Sequence, residues 1–283
     1  MLSAIVIFAY NRPKKTRLLL KSLFAQEEIH NHKVYMFLDG PKNSLDEKAL
    51  LKIKSTCNEY NIAIIARKQN LGLKKNIILG LNFIAEKHTS FIVLEDDLIL
   101  DSNFLDYHSN MLLKYKDDDR IFSISGFSPY LTNVKDGIYL NKRFSSWGWS
   151  TWSSKWNEVD FKPIYSKGNI LLRLRFINSL GSDVDRMLLD SIKNLNNSWA
   201  ILVTFHLFKN ELFSIAPRYS LVENNGFDEL ATHTKSKPRF SVVYDDLKKA
   251  YDTDIDLIPS SAIFREHRSI YSLLNRVKGK LSR

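Results

Sequence analysis

Three consecutive carboxylates interrupt an apolar stretch of this chain. Residues 91–100 read FIVLEDDLIL, so Glu95, Asp96 and Asp97 stand between two apolar runs. An ionised carboxylate is costly to bury unless a cation or hydrogen-bond donors meet it. Ions such as Mg²⁺ are held by one or two carboxylates and complete their coordination with water and substrate phosphates. The triplet therefore predicts a cation site that serves a phosphate-bearing ligand.

Strand and helix patterns alternate before this triplet. SAIVIFA is a strand pattern, Asn11 is a candidate N-cap, and Pro13 falls in the first turn of a helix that continues through TRLLLKSLF. The N-terminal stretch lacks the basic leader and cleavage site of a signal peptide, so we interpret it as a first strand. Ser44 and Glu47 form a predicted capping box for a second helix. The repeat continues with strands KVYMFLD, NIAIIAR and FIVL and with helices from Ser44 to about Tyr60 and from Lys74 to Lys87.

This alternation predicts an α/β fold with a mostly parallel sheet flanked by helices. Such sheets bind ligands beyond the carboxyl ends of their strands. The acid triplet follows the fourth strand at that edge, while Arg12 in AYNRP and Asp39 in FLDGP follow the first and second strands. AYNRP has no glycine, and no segment matches the phosphate loop G-x-x-x-x-G-K-[ST], so we expect neither a hydride-transfer enzyme nor a P-loop ATPase.

Composition narrows the setting of the protein. The 283 residues are 44% hydrophobic, which is enough for a sizeable core, and the formal net charge of +10 favours anionic partners. The single cysteine, Cys57, rules out an internal disulfide and fits a reducing compartment. No window approaches the roughly 18 to 20 apolar residues of a membrane span. We therefore expect a cytoplasmic protein that is soluble or peripheral to the membrane.

The second half of the sequence is rich in aromatic residues and helical patterns. Four of the five tryptophans fall within FSSWGWSTWSSKW, and such aromatic and glycine-bearing segments suit a lid or an acceptor platform. Helical patterns fill residues 169–210. The C-terminal stretch REHRSIYSLLNRVKGKLSR places apolar residues at helical spacing beside several cations. It fits either a helix packed on the domain or a basic helix lying on an anionic membrane surface.

Several motifs together resemble those of a known family. The opening IVIFAYNRP, then FLDG, QNLGLKKNI and above all VLEDD, resemble a GT-A glycosyltransferase, the nucleotide-diphospho-sugar transferase fold. The E-D-D form with a downstream G-W pair resembles the inverting N-acetylglucosaminyltransferase I type and related bacterial surface-polysaccharide transferases. The resemblance covers about residues 3–235. It implies a Rossmann-like sheet, a nucleotide-sugar donor and Mn²⁺ or Mg²⁺ as cofactor.

The resemblance also implies a domain plan and partners. We expect a nucleotide-sugar-binding half over residues 1–120, a helical and aromatic-rich acceptor-binding half of the same domain over 121–240, and a basic helical extension over 241–283. A UDP-sugar is the favoured donor, and a glycan or lipid-linked saccharide is the expected acceptor in polysaccharide biosynthesis. A peripheral contact with the inner face of the cell membrane is assigned to the basic C terminus. No nucleic-acid partner is expected.

Individual roles follow from the same resemblance. Asp97 is expected to ligate the metal, with His233 as a distal ligand. Asp96 faces the ribose or the water shell of the metal, and Glu95 reaches the donor sugar. Further donor contacts are assigned to Arg12, Asp39, Lys74, Trp147, Gly148 and Trp149. One departure stands out: the stretch that carries the catalytic acid in the relatives reads NNSWAIL here, without a carboxylate.

The general base is therefore sought elsewhere. Asp185 and Asp183 in GSDVDR are the first candidates, although both also suit the start of a helix. Asp228 and Glu229, in a later loop, are the alternative carboxylates. A base removes the proton of the acceptor hydroxyl while the metal neutralises charge on the departing diphosphate. We expect inversion at the anomeric carbon, and a retaining mechanism stays open.

Three other classes of protein stay open at this point. A sugar nucleotidyltransferase has a similar sheet and metal acids but normally uses a glycine-rich, lysine-bearing first loop, which AYNRPKK is not. A binding protein that kept the fold and lost the base is consistent with NNSWAIL. A nucleic-acid-binding protein would interleave cations and aromatics on one face, whereas the aromatic cluster has only three basic residues, Lys142, Arg143 and Lys155.

Overall fold

The protein is described from a computed structural model that covers residues 3–135, 137–226, 257–272 and 275. The chain forms two compact units. The first comprises Met1–Lys116, Ser146–Asn157 and Leu221–Lys237, and the second comprises Asp117–Ser145, Glu158–Ser220 and Pro238–Arg283. The sequence placed residues 146–157 in the second half, and the structure has them in the first unit.

The described elements alternate between strands and helices. In chain order they are β1 (Ala4–Ala9), α1 (Pro13–Phe24), a 3₁₀ helix (Glu27–Asn31), β2 (Val34–Leu38), α2 (Ser44–Glu59), β3 (Ala63–Ala66), α3 (Leu73–Ala85), β4 (Ser90–Glu95), β5 (Leu98–Leu100), α4 (Phe104–Lys114), β6 (Ile121–Ser125), β7 (Ile138–Asn141), β8 (Trp149–Trp152), α5 (Ser153–Asn157), α6 (Ile170–Leu180), α7 (Val184–Ile192), α8 (Ala200–Lys209), β9 (Phe213–Pro217), β10 (Val222–Asn224) and α9 (Ser261–Ile270).

The first unit is built on a mostly parallel sheet. Its strands run in the order β3-β2-β1-β4, all parallel, and β8 pairs antiparallel with β4. Every residue of β1 and β2 is buried, as expected for a parallel sheet with helices on both faces. The helices cover the sheet with apolar stripes, such as Leu19, Leu20 and Leu23 of α1. The predicted α/β fold is confirmed.

Two helix starts differ from the prediction. Asn43, and not Ser44, caps α2, because its side chain accepts hydrogen bonds from the backbone N–H groups of the second and third helical residues. Asn11 does not cap α1 either. Its amide is used elsewhere, and Arg12 occupies the cap position without a side-chain capping bond. Pro13 begins α1 as predicted.

The second unit contains the strands β6, β7 and β9 and a helical cluster. Strand β9 pairs in parallel with β6 and antiparallel with β7. Helices α6, α7 and α8 pack around an apolar cluster that includes Phe176, Leu188 and Phe205. Helix α9 belongs to this unit: Ile263 and Ile270 pack on a second apolar cluster. The described part of the C-terminal region is thus a helix packed on its own unit.

Helix α9 is also held by a carboxylate. Glu266 accepts hydrogen bonds from the backbone and side chains of Thr132 and Asn133, over distances of 2.6 to 2.9 Å. These four bonds hold the pKa of Glu266 below its ordinary value despite an opposing effect of burial.

Among the described helices, none combines the length and the apolar content needed to cross a bilayer.

A buried histidine joins α4 to β8 in the first unit. The Nδ1 atom of His108 lies 2.7 Å from the hydroxyl of Ser150, and its ring packs against Phe104 with the centroids 4.3 Å apart. Complete burial lowers the pKa of His108 from 6.5 to about 3. The imidazole is therefore neutral in the folded protein at neutral pH.

Acidification is expected to weaken the folded state through His108. Between its folded pKa of about 3 and its unfolded value of 6.5, the unfolded chain binds a proton that the folded chain does not. The contribution of the neutral His108 to the free energy of unfolding is therefore fully present above pH 6.5, and it is lost as the pH falls below that value. From pH 7 to pH 5 it should lower the free energy of unfolding by about 2 kcal/mol. Urea denaturation at the two pH values measures the change. The His108→Asn variant should no longer show this fall of about 2 kcal/mol, whereas the exposed variant His30→Asn should still show it. If the free energy of unfolding of His108→Asn falls as much as that of the wild type, His108 is not its source.

Candidate active site

The acid triplet lies at the carboxyl edge of the parallel sheet. Glu95 is the last residue of β4 and is paired in register with Phe8 of β1. The backbone N–H of Asp96 donates to the carbonyl of Phe8 over 3.1 Å, which continues the ladder by one residue. The triplet thus begins where the sheet ends, as the sequence predicted. At this edge side chains of neighbouring loops can meet a common ligand.

Arg12 provides the cation that these buried acids require. Its guanidinium forms an ion pair with Asp96 and a second one with Asp97, whose Oδ2 atom lies 2.9 Å away. Asp96 is only 2% exposed and also accepts from the backbone N–H of Tyr10. Burial raises the pKa of Asp96, and the charge of Arg12 opposes that rise. Arg12 and Asp97 therefore meet at this edge as predicted, but Arg12 contacts the acids directly.

One carboxylate oxygen of Asp97 has no hydrogen-bond partner among the described residues. Its Oδ1 atom is buried and makes no hydrogen bond within the described part of the chain. An orphaned anionic oxygen of this kind is costly unless a cation binds it. Among the described residues, no group of three or more His, Cys, Asp and Glu side chains is arranged to hold a metal by itself. The residues fit an ion held by Asp97 and completed by the phosphates of a ligand.

Glu95 completes the triplet from a half-buried position. It forms a side-chain hydrogen bond with Ser146, a residue of the same unit. Burial raises the pKa of Glu95, and the negative charge of Asp97 raises it further. The site thus carries more negative charge than Arg12 alone neutralises. An added cation would favour the ionised forms of Glu95 and Asp96.

A two-stranded ribbon that the sequence did not predict covers the triplet. Strands β5 and β10 pair antiparallel, with Asn224 opposite Leu98. Beyond the ribbon, the backbone N–H of Asn225 donates to the carbonyl of Asp97 over 2.8 Å. Gly226 approaches so closely that a Cβ there would overlap the Oδ2 atom of Asp97 and lie 2.7 Å from the Oδ1 atom of Asn224. The segment VENNG is therefore part of the site.

Replacing Gly226 with alanine should disturb the carboxylate of Asp97. The added methyl group forces either that carboxylate or the backbone after β10 to move, and overpacking of this kind costs about 1–3 kcal/mol. We expect a lower melting temperature and weaker metal-dependent binding of a nucleotide-sugar. Gly168→Ala is the matched control, since a Cβ at residue 168 meets only the Ser166 hydroxyl at 3.7 Å. Equal behaviour of the two variants would contradict the close approach.

A buried aspartate of α2 fixes the loop that carries Arg12. The carboxylate of Asp46 accepts from the Tyr10 hydroxyl at 2.5 Å and from the Asn11 amide at 2.8 Å. It also accepts from the backbone N–H of Lys42 over 3.0 Å. Sequence reasoning missed Asp46 because an acid in the first turn of a helix is usually solvated. Only the folded structure shows that Asp46 matters to the site: its side chain is 6% exposed and accepts hydrogen bonds from three donors.

Asp39 holds the loop that leads into α3. Its carboxylate accepts hydrogen bonds from the backbone N–H groups of Gly40, Leu71 and Gly72, over 2.7 to 2.9 Å. If Asp39 contacts the nucleotide base as predicted, it does so with a carboxylate that already accepts three backbone hydrogen bonds. Lys74 lies in the first turn of α3, and burial lowers its pKa. The loop that Asp39 fixes is the one that presents Lys74.

The structure separates the three residues of the W-G-W segment. Trp149 is fully buried in β8, and its ring packs edge-on against Phe91 and beside Trp156. Trp149 is therefore a core residue and not the expected donor contact, since Phe91 and Trp156 cover its ring. Gly148 has a positive φ of 60°, and a Cβ there would lie 2.8 Å from a methyl group of Val222. Trp147 is half-buried.

Both predicted general bases are engaged by arginines of the second unit. Asp183 receives two hydrogen bonds from Arg143, at 2.9 and 2.8 Å, and is 6% exposed. Asp185 receives two from Arg173, each 2.8 Å long, and one from the hydroxyl of Tyr165 at 2.7 Å. The bonds from Arg173 lower the pKa of Asp185, although burial opposes them. Both carboxylates thus have structural partners.

The remaining candidates lie outside the described residues. They are His233, the predicted distal metal ligand, and the alternative carboxylates Asp228 and Glu229.

The mostly parallel sheet, its carboxyl-edge acids and the family match define the class of this protein: it has the GT-A fold of a glycosyltransferase family. The chain belongs to Glycosyl transferase family 2, whose family model matches residues 4–162, more than half of the chain. The match includes β1, β4, the acid triplet and Arg12. A comparison with curated proteins gave no match.

Two solved structures are similar over about half of this chain. One is Staphylococcus aureus TarS 1-349, with 15% identity and a TM-score of 0.44, over 57% of this chain and 50% of that one. The other is the mannosyltransferase PcManGT from Pyrobaculum calidifontis in complex with GDP-Man and Mn²⁺, with 12% identity and a TM-score of 0.37, over 53% and 44%. The matches span half or less of the length of these structures.

Proposed function

We propose that the protein is a metal-dependent, inverting hexosyltransferase. In this proposal it moves a sugar from a nucleotide-diphosphate donor to a hydroxyl of a glycan or lipid-linked acceptor. One observation carries the proposal: the buried Oδ1 atom of Asp97, without a partner among the described residues, at the sheet edge of a family 2 domain. This atom is suited to Mn²⁺ or Mg²⁺, with the donor diphosphate completing the coordination.

Each residue of the edge has a proposed task. Asp97 holds the metal, which when bound neutralises charge on the departing diphosphate. Arg12 pairs with Asp96 and Asp97 and lies within reach of the nucleotide. Glu95 accepts hydrogen bonds from hydroxyl groups of the donor sugar. Asp39 contacts the base, Lys74 faces the diphosphate, and Trp147 with Gly148 stays a proposed donor contact.

The acceptor side stays a prediction. Asp185 and Asp183 are the proposed bases for the acceptor proton, and His233 is the proposed distal metal ligand. Asp185 binds Arg173, and the resulting low pKa makes it a weak base at neutral pH. A nucleotide-sugar-binding protein without turnover is therefore the second candidate, and NNSWAIL favours it. The resemblance to the N-acetylglucosaminyltransferase I type, the UDP-sugar donor and a role in polysaccharide biosynthesis are proposed on the sequence motifs.

The cellular setting is part of the proposal. We propose a cytoplasmic protein that reaches a lipid-linked acceptor at the inner face of the membrane. The predicted contact through the basic C terminus concerns residues 265–283, of which 273, 274 and 276–283 lie outside the described residues.

Thermal stabilisation by nucleotide-sugars tests the donor site without a known acceptor. The panel contains UDP-, dTDP-, GDP- and CMP-sugars, each with Mn²⁺ or with EDTA. A ligand that binds only the folded state adds about 2.7 kcal/mol of stability at a hundred times its Kd. We expect one nucleotide class to raise the melting temperature, and to do so only with Mn²⁺. No shift with any member of the panel would contradict the proposal.

The products separate the competing functions once the donor class is known. A glycosyltransferase releases a nucleoside diphosphate, whereas a sugar nucleotidyltransferase consumes a nucleoside triphosphate and releases pyrophosphate. A binding protein gives stabilisation and neither product. We expect nucleoside diphosphate release that increases with added saccharide acceptor. Stabilisation without release under these conditions would favour the binding protein.

A further inference from the structure

Helix α6 presents apolar side chains on both of its sides. One side packs into the apolar cluster of the second unit, where Phe176 and Leu180 are buried. The opposite side carries Ile170, Leu171 and Leu174, which are 62%, 80% and 51% exposed. A helix on a solvated surface normally has polar residues on this side. Three large aliphatic residues there mark a surface that interacts with something else.

The loop before α6 carries a further exposed aliphatic side chain. Ile164 is 90% exposed although its neighbours Pro163 and Tyr165 are buried. Ile164 therefore adds exposed apolar area to the segment that leads into α6. Isolated exposed leucines occur elsewhere, such as Leu45 and Leu51 of α2. Neither of them lies in a segment with several exposed aliphatic residues and exposed cations alone, as α6 and the loop before it do.

The charge of the surrounding segment is of one sign. Residues 161–182 contain Lys162, Lys167, Arg173 and Arg175 and no aspartate or glutamate. Arg173 is paired with Asp185, whereas Lys162, Lys167 and Arg175 have exposed side chains. A segment that combines exposed aliphatic residues with exposed cations is complementary to the surface of an anionic bilayer, which offers acyl chains below a layer of negative headgroups.

We propose that this surface docks on an anionic lipid bilayer. We call it the α6 patch and define it by Ile164, Ile170, Leu171 and Leu174 with Lys162 and Lys167. Helix α6 lies in the plane of the interface with its outward aliphatic side chains among the headgroups, and the lysines contact lipid phosphates. The patch is distinct from the basic C terminus, and its docking does not depend on sugar transfer. It would bring the second unit to the membrane, where a lipid-linked acceptor resides.

Flotation of the full chain with lipid vesicles tests the proposal. Vesicles of phosphatidylcholine alone are compared with vesicles that also contain phosphatidylglycerol. The wild type should float with the mixed vesicles and bind the neutral ones weakly. Replacing Leu171→Ser together with Leu174→Ser should weaken binding by about tenfold or more, because two membrane-inserted side chains are lost. The exposed pair Leu45→Ser and Leu51→Ser is the matched control and should bind like the wild type.

The lysines have a separate readout. Lys162→Ser with Lys167→Ser should lower the preference for anionic vesicles, whereas the exposed pair Lys48→Ser and Lys52→Ser on α2 should preserve it. Two results would overturn the proposal. One is undiminished binding of the Leu171 and Leu174 variant, which would assign membrane binding to another segment. The other is no binding by the wild type together with a dimer in light scattering that this variant dissociates, which would make the patch an interface between copies of the chain.

Discussion

Replacing Asp97 with asparagine should lower the rate of sugar transfer by about 10² to 10³, with the fold intact. The substitution keeps the shape of the side chain and an oxygen for the bond from Arg12, but it removes the negative charge that holds the metal. Loss of a preorganised electrostatic contact to a developing charge typically costs this much. The measurement is the initial rate of nucleoside diphosphate release with saturating Mn²⁺.

The stability of the metal-free protein separates this ligand role from a structural one. The charge of Asp97 raises the pKa of Glu95, so the two acids repel each other. Asp97→Asn removes that repulsion and should leave the metal-free melting temperature unchanged or higher. It should also abolish the part of the nucleotide-sugar shift that depends on Mn²⁺. A lower melting temperature with normal metal dependence would contradict the ligand role.

An exposed acid of the same unit provides the control. Asp106 lies in the first turn of α4, where its carboxylate accepts a bond from the Asn110 side chain within α4. Asp106→Asn removes one negative charge from the same unit without touching the triplet. We expect wild-type turnover and wild-type metal dependence. A similar loss of rate in both variants would indicate an effect of net charge alone.

The order of the first four strands could be predicted because it depends on local patterns. Apolar runs, helix-start residues and connection lengths are all readable within about twenty residues of each other. Because parallel strands present their carboxyl ends at one edge, the same patterns predict that Arg12, Asp39 and the acid triplet lie along that edge. The structure agrees on that placement. Cap positions were less accurate, because Asn43 and Ser44 are both good caps and only the backbone geometry chooses between them.

The ribbon over the acids could not be predicted, because it depends on contacts distant in sequence. Strand β10 is three residues long and pairs with β5 more than a hundred residues earlier. The aromatic segment that holds β8 was expected to form a lid or an acceptor platform, although tryptophans near a glycine suit a core as well. Its pairing with β4 and the burial of Trp149 decide for the core. In both cases the partner, and not the segment, determines the structure.

The partners of individual carboxylates were equally hidden from the sequence. Asp39 and Asp46 differ little from surface acids in their local pattern, yet each is held by three hydrogen-bond donors. Those of Asp39 are backbone N–H groups, and those of Asp46 are one backbone N–H and two side chains. Asp183 and Asp185 were singled out because a base was missing, and each is bound by an arginine. Charge pairs of this kind follow from the packing of helices. A sequence supplies the acids, and the fold determines which of them stay available for chemistry.

Replacing Asp183 with asparagine should destabilise the protein strongly. Arg143 forms two hydrogen bonds with this carboxylate, stacks on the ring of Tyr271 at 3.7 Å and has a side chain only 11% exposed. The variant leaves a buried guanidinium without its counter-charge. Removal of one member of a buried ion pair costs about 3–5 kcal/mol. Urea denaturation of the wild type and the variant measures the difference.

Asp190→Asn is the matched control on the same helix, because Asp190 pairs with an exposed Arg186 over 3.5 Å. A surface pair of this kind contributes at most about 1 kcal/mol. Similar losses in the two variants would contradict a special cost at Asp183. Combining Asp183→Leu with Arg143→Met should recover part of the stability, since neither charge is then left alone. Turnover per folded molecule settles the catalytic question: if Asp183 serves only Arg143, Asp183→Asn should transfer sugar normally wherever it is folded, whereas a base at this position would lose turnover even then.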